Sequence, residues 1–342
     1  MHRARPLLAM LSTAIFPIFG ACASHAASSV DSGADAATSA DAQTDSSSKV
    51  DVNFTPLKAE LKSDLQYRTV AGKALLADFY LPDRSAPAPV VVQIHGGGFS
   101  SGDKAGLSEV NFCEHFQSNG IAALSINYRV YSDYPPDGYG AFPNSLYDVK
   151  CSIMWLRKHA DEFGIDKNHI FVLGSSAGGY FTNMLGTSGN DPTFDPPDCV
   201  EGAGESNAVQ GAITYFGPGA DWTAMFSDPL RVGTQNSEKK FLSLTTACTN
   251  TSDIDGICKT ASAVTHIDAA DPPFFISHSD DDPGVPVTQG RIMKSSLEAK
   301  KVNVTYREVI GKGHGWHARF SDPEIAAVRD EVTAWVKTLA AK

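Results

Sequence analysis

The chain has 342 residues, 42% of them hydrophobic, which is enough to bury one large core or two modest ones. Its formal net charge of −11 argues against nucleic acid and against an anionic membrane surface as partners.

The chain begins MHRARPLLAMLSTAIFPIFGACASHA, with a basic start at His2, Arg3 and Arg5 and an apolar run from Leu7 to Phe19. Small residues follow. This is the pattern of a secretory signal peptide over residues 1–26, too short and wrongly flanked for a stable spanning helix. Two exits are open. FGAC, ending at Cys22, is lipobox-like and would make Cys22 the lipidated first residue of a membrane-held lipoprotein. SHA before Ala27 suits ordinary cleavage and free secretion or a periplasmic location. Residues 27–50 are Ser, Ala, Asp and Thr with almost nothing to bury, and read as a disordered tether. Residues 51–342 read as the folded domain.

In that domain short apolar runs alternate with amphipathic stretches. VVVQIH (90–95) is a continuous β-branched run, as a strand buried on both faces should be. IAALSINY (121–128), IFVLG (170–174), VQGAITYF (209–216), PFFISH (273–278) and VNVTYREV (302–309) read likewise. Between them, Asn144 is a candidate N-cap for a helix with Leu146, Val149, Ile153 and Leu156 on one face. The last helix runs from about Pro323 to Leu339. This alternation predicts a doubly wound, mostly parallel α/β sheet with helices on both faces, in which function gathers at the carboxyl ends of the strands.

IFVLGSSAGGYF passes from a buried strand through Gly174-Ser175-Ser176-Ala177-Gly178 into a helical pattern. This is G-x-S-x-G in its strand–turn–helix context. The turn is so sharp that the residues two before and two after the serine must lack bulk. Ser176 satisfies that spacing; Ser175 would need Leu173 to be a glycine. HGGGF (95–99) ends the VVVQI strand, and its glycines leave backbone N–H groups unshielded. With the Ala177 amide, those of Gly97 and Gly98 are candidates to hold an oxyanion. His95 reads as a structural hydrogen-bonder.

A serine nucleophile needs a base, and the base an orienting acid, in the chain order Ser, acid, His. His314 in GKGHGWH (311–317), flanked by glycines after the final strand, is the candidate base, with His317 as its rival. His266 and His278 read as structural. The acid is expected after the penultimate strand, where Asp280, Asp281 and Asp282 stand in FFISHSDDDPGVPV. An EF-hand reading of that run fails because Gly284 occupies the third ligand position. One of the three is then the orienting acid.

At this point the chain resembles the α/β-hydrolase superfamily, in the esterase branch around hormone-sensitive-lipase-like and bacterial feruloyl-esterase-like (BD-FAE) carboxylesterases. The pieces that carry the resemblance are HGGGF, NYR (127–129), FPNSLYDVKCSIMWLRKHADEFGID (142–166), GSSAGG, YFGPGAD (215–221), ASAVTHI (261–267), HSDDDPGVP (278–286) and GKGHGW. They run through nearly all of residues 65–340 in the expected order. The resemblance implies an α/β-hydrolase fold and a serine carboxylesterase acting on short acyl or aryl esters through an acyl-enzyme. Ser176, Asp282 and His314 would be the triad, and Gly97, Gly98 and Ala177 the oxyanion hole. It implies a small-molecule ester substrate, no cofactor and no metal. The family's acid loop, H-G-x-x-D-x-x-V-P, selects Asp282; this chain departs from it with Ser279 for the Gly and with two extra carboxylates. Asp280 and Asp281 are expected to be solvated neighbours.

A peptidase of the prolyl-oligopeptidase type would carry a large N-terminal propeller, for which the stretch before VVVQI is too short, but a serine peptidase stays an alternative on this fold. A formamidase-like amide hydrolase is the other alternative on this fold. Two insertions, 188–207 and 221–259, are expected to wall the substrate pocket, with Trp222, Phe226 and Trp316 as candidate wall residues or plain core. Cys22 aside, the cysteines are Cys113, Cys151, Cys199, Cys248 and Cys258, an odd count at spacings that match no zinc signature. Cys248 and Cys258 bracket a polar insertion and are expected to pair. Cys113 and Cys151, on helices of opposite faces, are expected to stay free.

Overall fold

The computed structural model describes residues 54–131, 140–189, 191–232, 236–244, 248 and 256–342. They belong to a compact unit, Val50–Lys342. The readings of the leader, of Cys22 and of the tether fall outside the described residues.

Eight strands make one sheet: β1 (Glu60–Val70), β2 (Lys73–Leu81), β3 (Ala88–Ile94), β4 (Ala122–Ile126), β5 (Ile165–Ser175), β6 (Gly211–Tyr215), β7 (Phe274–Ser279) and β8 (Val304–Val309). Their order is β1-β2-β4-β3-β5-β6-β7-β8. The first three in that order pair antiparallel, and every pair from β4 to β8 is parallel. The helices among the described residues are α1 (Leu107–Ser118), α2 (Asn144–Lys158), α3 (Ala160–Phe163), α4 (Ala177–Thr187), α5 (Trp222–Ser227), α6 (Asn236–Phe241), α7 (Ile257–Ala261), α8 (Thr288–Ala299) and α9 (Pro323–Ala340).

The six strands read from the sequence are β3 to β8. The antiparallel β1–β2 hairpin is an addition, joined by a turn in which Ala71 and Gly72 both take positive φ. Continuous apolar runs became central strands because alternate side chains reach opposite, equally covered faces. In β3, Val90, Val92 and Ile94 join one core, and Val91 joins the other. In β5, Ile170 and Val172 face the first core, Phe171 and Leu173 the second. The first core is closed by α2, α4 and α8 through Leu146, Val149, Phe181, Met184 and Met293. The second is closed by α1 and α9 through Phe112, Phe116, Ile325, Val328 and Val332. A fully buried aliphatic side chain contributes about 1.5–3 kcal/mol, so each helix is held by its stripe rather than by its termini.

Two termini show how local chemistry sets the boundaries. α9 starts where Asp322 accepts the Glu324 amide at 3.0 Å and Pro323 takes the first turn, where its missing N–H costs nothing. α2 begins one residue earlier than the sequence suggests. Pro143 is its N-cap, Asn144 is already helical, and the Asn144 amide turns back to the Ala141 carbonyl.

The cysteine expectations divide. Cys248 pairs with Cys258, as their spacing suggested. Cys113 is a buried free thiol in α1, on the face opposite α2. Cys151, expected to be free, is instead bonded to Cys199. The cause is the 188–207 insertion, whose residues 198–202 lie back against α2 and β1. Gly202 lies against Met154 and Trp155, Glu201 accepts the Thr69 amide at 2.9 Å, and Asp198 meets Arg68.

Candidate active site

Ser176 follows β5 directly and caps α4, with φ 53° and ψ −120°. A serine pays for that left-handed conformation, and its neighbours hold it there. A β-carbon at Gly174 would collide with the Gly178 carbonyl, and one at Gly178 with the Ile94 carbonyl. The glycines two before and two after the serine are therefore steric requirements, as the motif predicts. The Ser176 amide donates to Tyr215 O at 3.0 Å, locking the turn against β6. Its side chain makes no capping bond and is free to face elsewhere.

It faces His314. The His314 Nε2 lies 3.1 Å from Ser176 Oγ, and its Nδ1 lies 2.8 and 3.1 Å from the two oxygens of Asp282. With its proton on Nδ1, the imidazole donates to the carboxylate and accepts from the serine. Asp282 is buried, and its Oδ1 also accepts the Gly284 and Val285 amides at 2.8 and 2.9 Å. Those bonds fix the carboxylate, because the Pro283-Gly284 turn brings two N–H groups onto one oxygen. Phe216, just past β6, packs edge-on against the His314 ring at 4.8 Å between centroids.

Asp280 and Asp281 are not mere solvated neighbours. Asp280 Oδ1 accepts the Gly311 amide and Asp281 Oδ1 the Gly313 amide, each at 2.7 Å. Ser279 Oγ accepts the Lys312 amide at 3.0 Å and donates to Asp281 Oδ1 at 2.7 Å. Those two N–H/O–H donors hold the Asp281 carboxyl below its ordinary range, the Ser279 hydroxyl contributing most.

The HGGGF loop crosses in front of the serine: a β-carbon on Gly96 would sit 3.4 Å from Ser176 Cβ. Gly97 and Gly98 both have positive φ, and Gly97 has no room for a β-carbon beside Ser101 O. Phe99 also takes positive φ and anchors the loop, its ring stacked on Phe241 at 4.0 Å inside the core. The Gly97 and Gly98 amides have no backbone acceptor among the described residues. Ala177 is the first residue of α4, so its amide lies ahead of the helical ladder.

The other histidines weighed as candidates have different partners, although His95 and His317 also border the cavity at Ser176. His95 stacks on Tyr128 at 4.3 Å with Nδ1 2.7 Å from Gly96 O. His278 is fully buried, with Nε2 2.8 Å from Val285 O, and burial pushes its pKa down to about 4. His266 Nε2 sits 2.8 Å from Thr260 O. His317 packs among Phe112, Tyr215 and Phe216, and burial followed by the charge of His314 brings its pKa to about 3.

A cavity of about 620 Å³ opens over Ser176 and His314. Its lining includes polar residues of two segments, Asp103, Ser108 and Glu109 from one and Arg231, Ser237 and Glu238 from the other. Arg231 and Glu238 form an ion pair at 2.5 Å. The 221–259 insertion thus contributes to the pocket, whereas no described residue of 188–207 lines it. Trp222, Phe226 and Trp316 are core, absent from the cavity lining; the Trp222 indole donates to Ala261 O at 3.1 Å. Phe216, Val285 and Glu109 were missed as lining residues. For Phe216 and Val285 the signal was positional, since each lies within a few residues of a strand end or motif loop; Glu109, inside α1, carried none. Among the described residues no group of three His, Cys, Asp or Glu side chains is arranged to hold a metal ion.

The strand order, the strained strand–serine–helix turn and the histidine loop beyond the last strand define an α/β-hydrolase fold. A truncated form of a carbohydrate esterase from gut microbiota superposes with a TM-score of 0.69, at 21% identity, over 83% of this chain and 98% of that one. The BD-FAE family model matches residues 77–297, and the chain belongs to that family. The match spans Gly97, Ser176 and Asp282 and stops short of His314. The probable carboxylic ester hydrolase LipM of Mycobacterium tuberculosis is 31% identical over 66% of this chain and 49% of its own. Esterase LipC of the same organism is 31% identical over 67% and 53%. The chain spans about half the length of these curated relatives.

Proposed function

We propose that this protein is a serine carboxylesterase in which Ser176 is the nucleophile, His314 the base and Asp282 its orienting acid. The observation that carries the reading is the unbroken hydrogen-bonded line from Ser176 Oγ through both His314 nitrogens to the buried Asp282. As Ser176 Oγ attacks an ester carbonyl, its proton passes to His314 Nε2 and the carbonyl oxygen becomes an oxyanion. The amides of Gly97, Gly98 and Ala177 are the donors for that charge. Collapse of the intermediate breaks the bond to the alkoxy group, which leaves with the proton from His314. The acyl-serine is then cleaved by water, with His314 taking the water proton and returning it to Ser176. Esterase names among the relatives support carboxylic esters as the substrate class. A panel of p-nitrophenyl esters beside an aminoacyl anilide tests it. Ser176→Ala should lose ester hydrolysis and organophosphate labelling, and Ser175→Ala should keep both. Labelling that survives Ser176→Ala would sink the assignment.

We also propose that the protein is exported, and lipid-anchored at Cys22. The basic-apolar-small leader and the polar stretch behind Cys22 support this.

A further inference from the structure

The run of three carboxylates has a second role, independent of which one meets the imidazole. β7 and β8 are parallel neighbours with Ser279 opposite Val309, and the Asp280 amide donates to Val309 O at 3.0 Å. The chains leaving the two strands therefore start side by side. The three residues from Ser279 to Asp281 then take the three successive amides of Gly311, Lys312 and Gly313, one side chain to each N–H. The next residue along, Asp282, takes the imidazole of the next residue along, His314. On its other side the same segment is tied down by Lys312 Nζ, 2.7 Å from Asp322 Oδ2 at the start of α9.

Such a device has a reason to exist here. Gly311, Gly313 and Gly315 all adopt positive φ, and a β-carbon at any of them would meet open space. The glycines allow the turn but do not hold it, because glycine loses the most conformational freedom on ordering. A base on such a segment would wander from Ser176 unless its backbone were fixed by something else.

We infer that Asp280 and Asp281, with Ser279 between backbone and carboxylate, form a clamp that positions His314. They are positioning residues: neither touches the imidazole, and each acts through the backbone of the segment that bears it. The inference rests on the esterase reading for its kinetic consequence, but not for its structural one. A carboxylate and a carboxamide can each accept one N–H bond, so the clamp requires an acceptor oxygen at these positions rather than a charge.

The test compares wild type, the double variant Asp280→Ala/Asp281→Ala and the double variant Asp280→Asn/Asp281→Asn. Each is measured for kcat and KM on p-nitrophenyl acetate, and for hydrogen exchange of the 311–313 amides. The alanine pair should lower kcat by about 10- to 100-fold, as a displaced catalytic group does, with KM within about twofold. Its 311–313 amides should lose protection, and the asparagine pair should restore both kcat and protection to within a few-fold of wild type. If the alanine pair keeps wild-type exchange at 311–313, or keeps wild-type kcat in an active enzyme, the clamp is overturned. If wild type hydrolyses no ester yet the alanine pair frees those amides, the clamp stands and the esterase reading falls instead.

Discussion

At the scale of single residues, burial sorts the histidines more sharply than spacing does. His314 sits at the cavity with a partner on each ring nitrogen, while His278 and His317, although His317 borders the same cavity, are buried. Their depressed pKa values, about 4 and about 3, carry a stability consequence. Unfolded, each would bind a proton as pH falls below the usual ~6.5 of histidine. Folded, each refuses it, so the unfolded state holds more protons and stability falls with pH in that window. The loss begins near pH 6.5 and ends near pH 4 for His278 and near pH 3 for His317. His317→Phe keeps a ring among Phe112, Tyr215 and Phe216 but removes one titrating group. Urea unfolding at pH 8, 6 and 5 should show its stability, relative to wild type, rising as pH falls. A constant difference across those pH values would show that His317 is not held neutral.

At the scale of elements, the fold was legible where one-dimensional signals were strong. Continuous β-branched runs marked β3 and β5, and the glycines flanking Ser176 marked the turn because sterics allow no other residue there. The β1–β2 hairpin was harder, since an edge strand half open to solvent has no continuous apolar run. Pairings set by tertiary folding were invisible. Nothing local in the 188–207 insertion says that residues 198–202 lie back against α2, so the Cys151–Cys199 bond could not be read from spacing. Likewise the partners of Asp280 and Asp281 are amides some thirty positions away, juxtaposed only by the parallel register of β7 and β8. The Cys151–Cys199 bond closes a loop of 48 residues. Loop-closure entropy puts such a link at roughly 4 kcal/mol. Cys151→Ala/Cys199→Ala should therefore lower unfolding stability by about 2–4 kcal/mol. Non-reducing peptide mass spectrometry of wild type should recover the 151–199 and 248–258 pairs, and finding Cys113 in either would contradict this arrangement.

At the scale of the whole molecule, the proposed export and anchoring rest on the sequence of residues 1–50. If Cys22 carries lipid, protein from the native host should partition into detergent, and Cys22→Ser should move it to the aqueous fraction. A native N-terminus at Ala27 would refute the anchor. The site itself depended on sequence in a graded way. Motif residues that meet steric demands, Gly97, Gly174 and Gly178, were readable from the chain alone. Lining residues such as Glu109 and Arg231 were not, because their role comes from how loops of different strands converge.

The position of His314 along the chain also sets when chemistry can begin. Ser176, the HGGGF loop and Asp282 are all made before β8, and the histidine comes after it. On the proposed mechanism, a nascent chain has its nucleophile without a base and its acid without an imidazole, however well the earlier strands have paired. On that mechanism the triad is complete only once the eighth strand has docked on the seventh and the side chains of 279–281 have received the amides of 311–313. Until that docking, the chain lacks the base with which it would, on the same mechanism, attack esters of the cell that makes it.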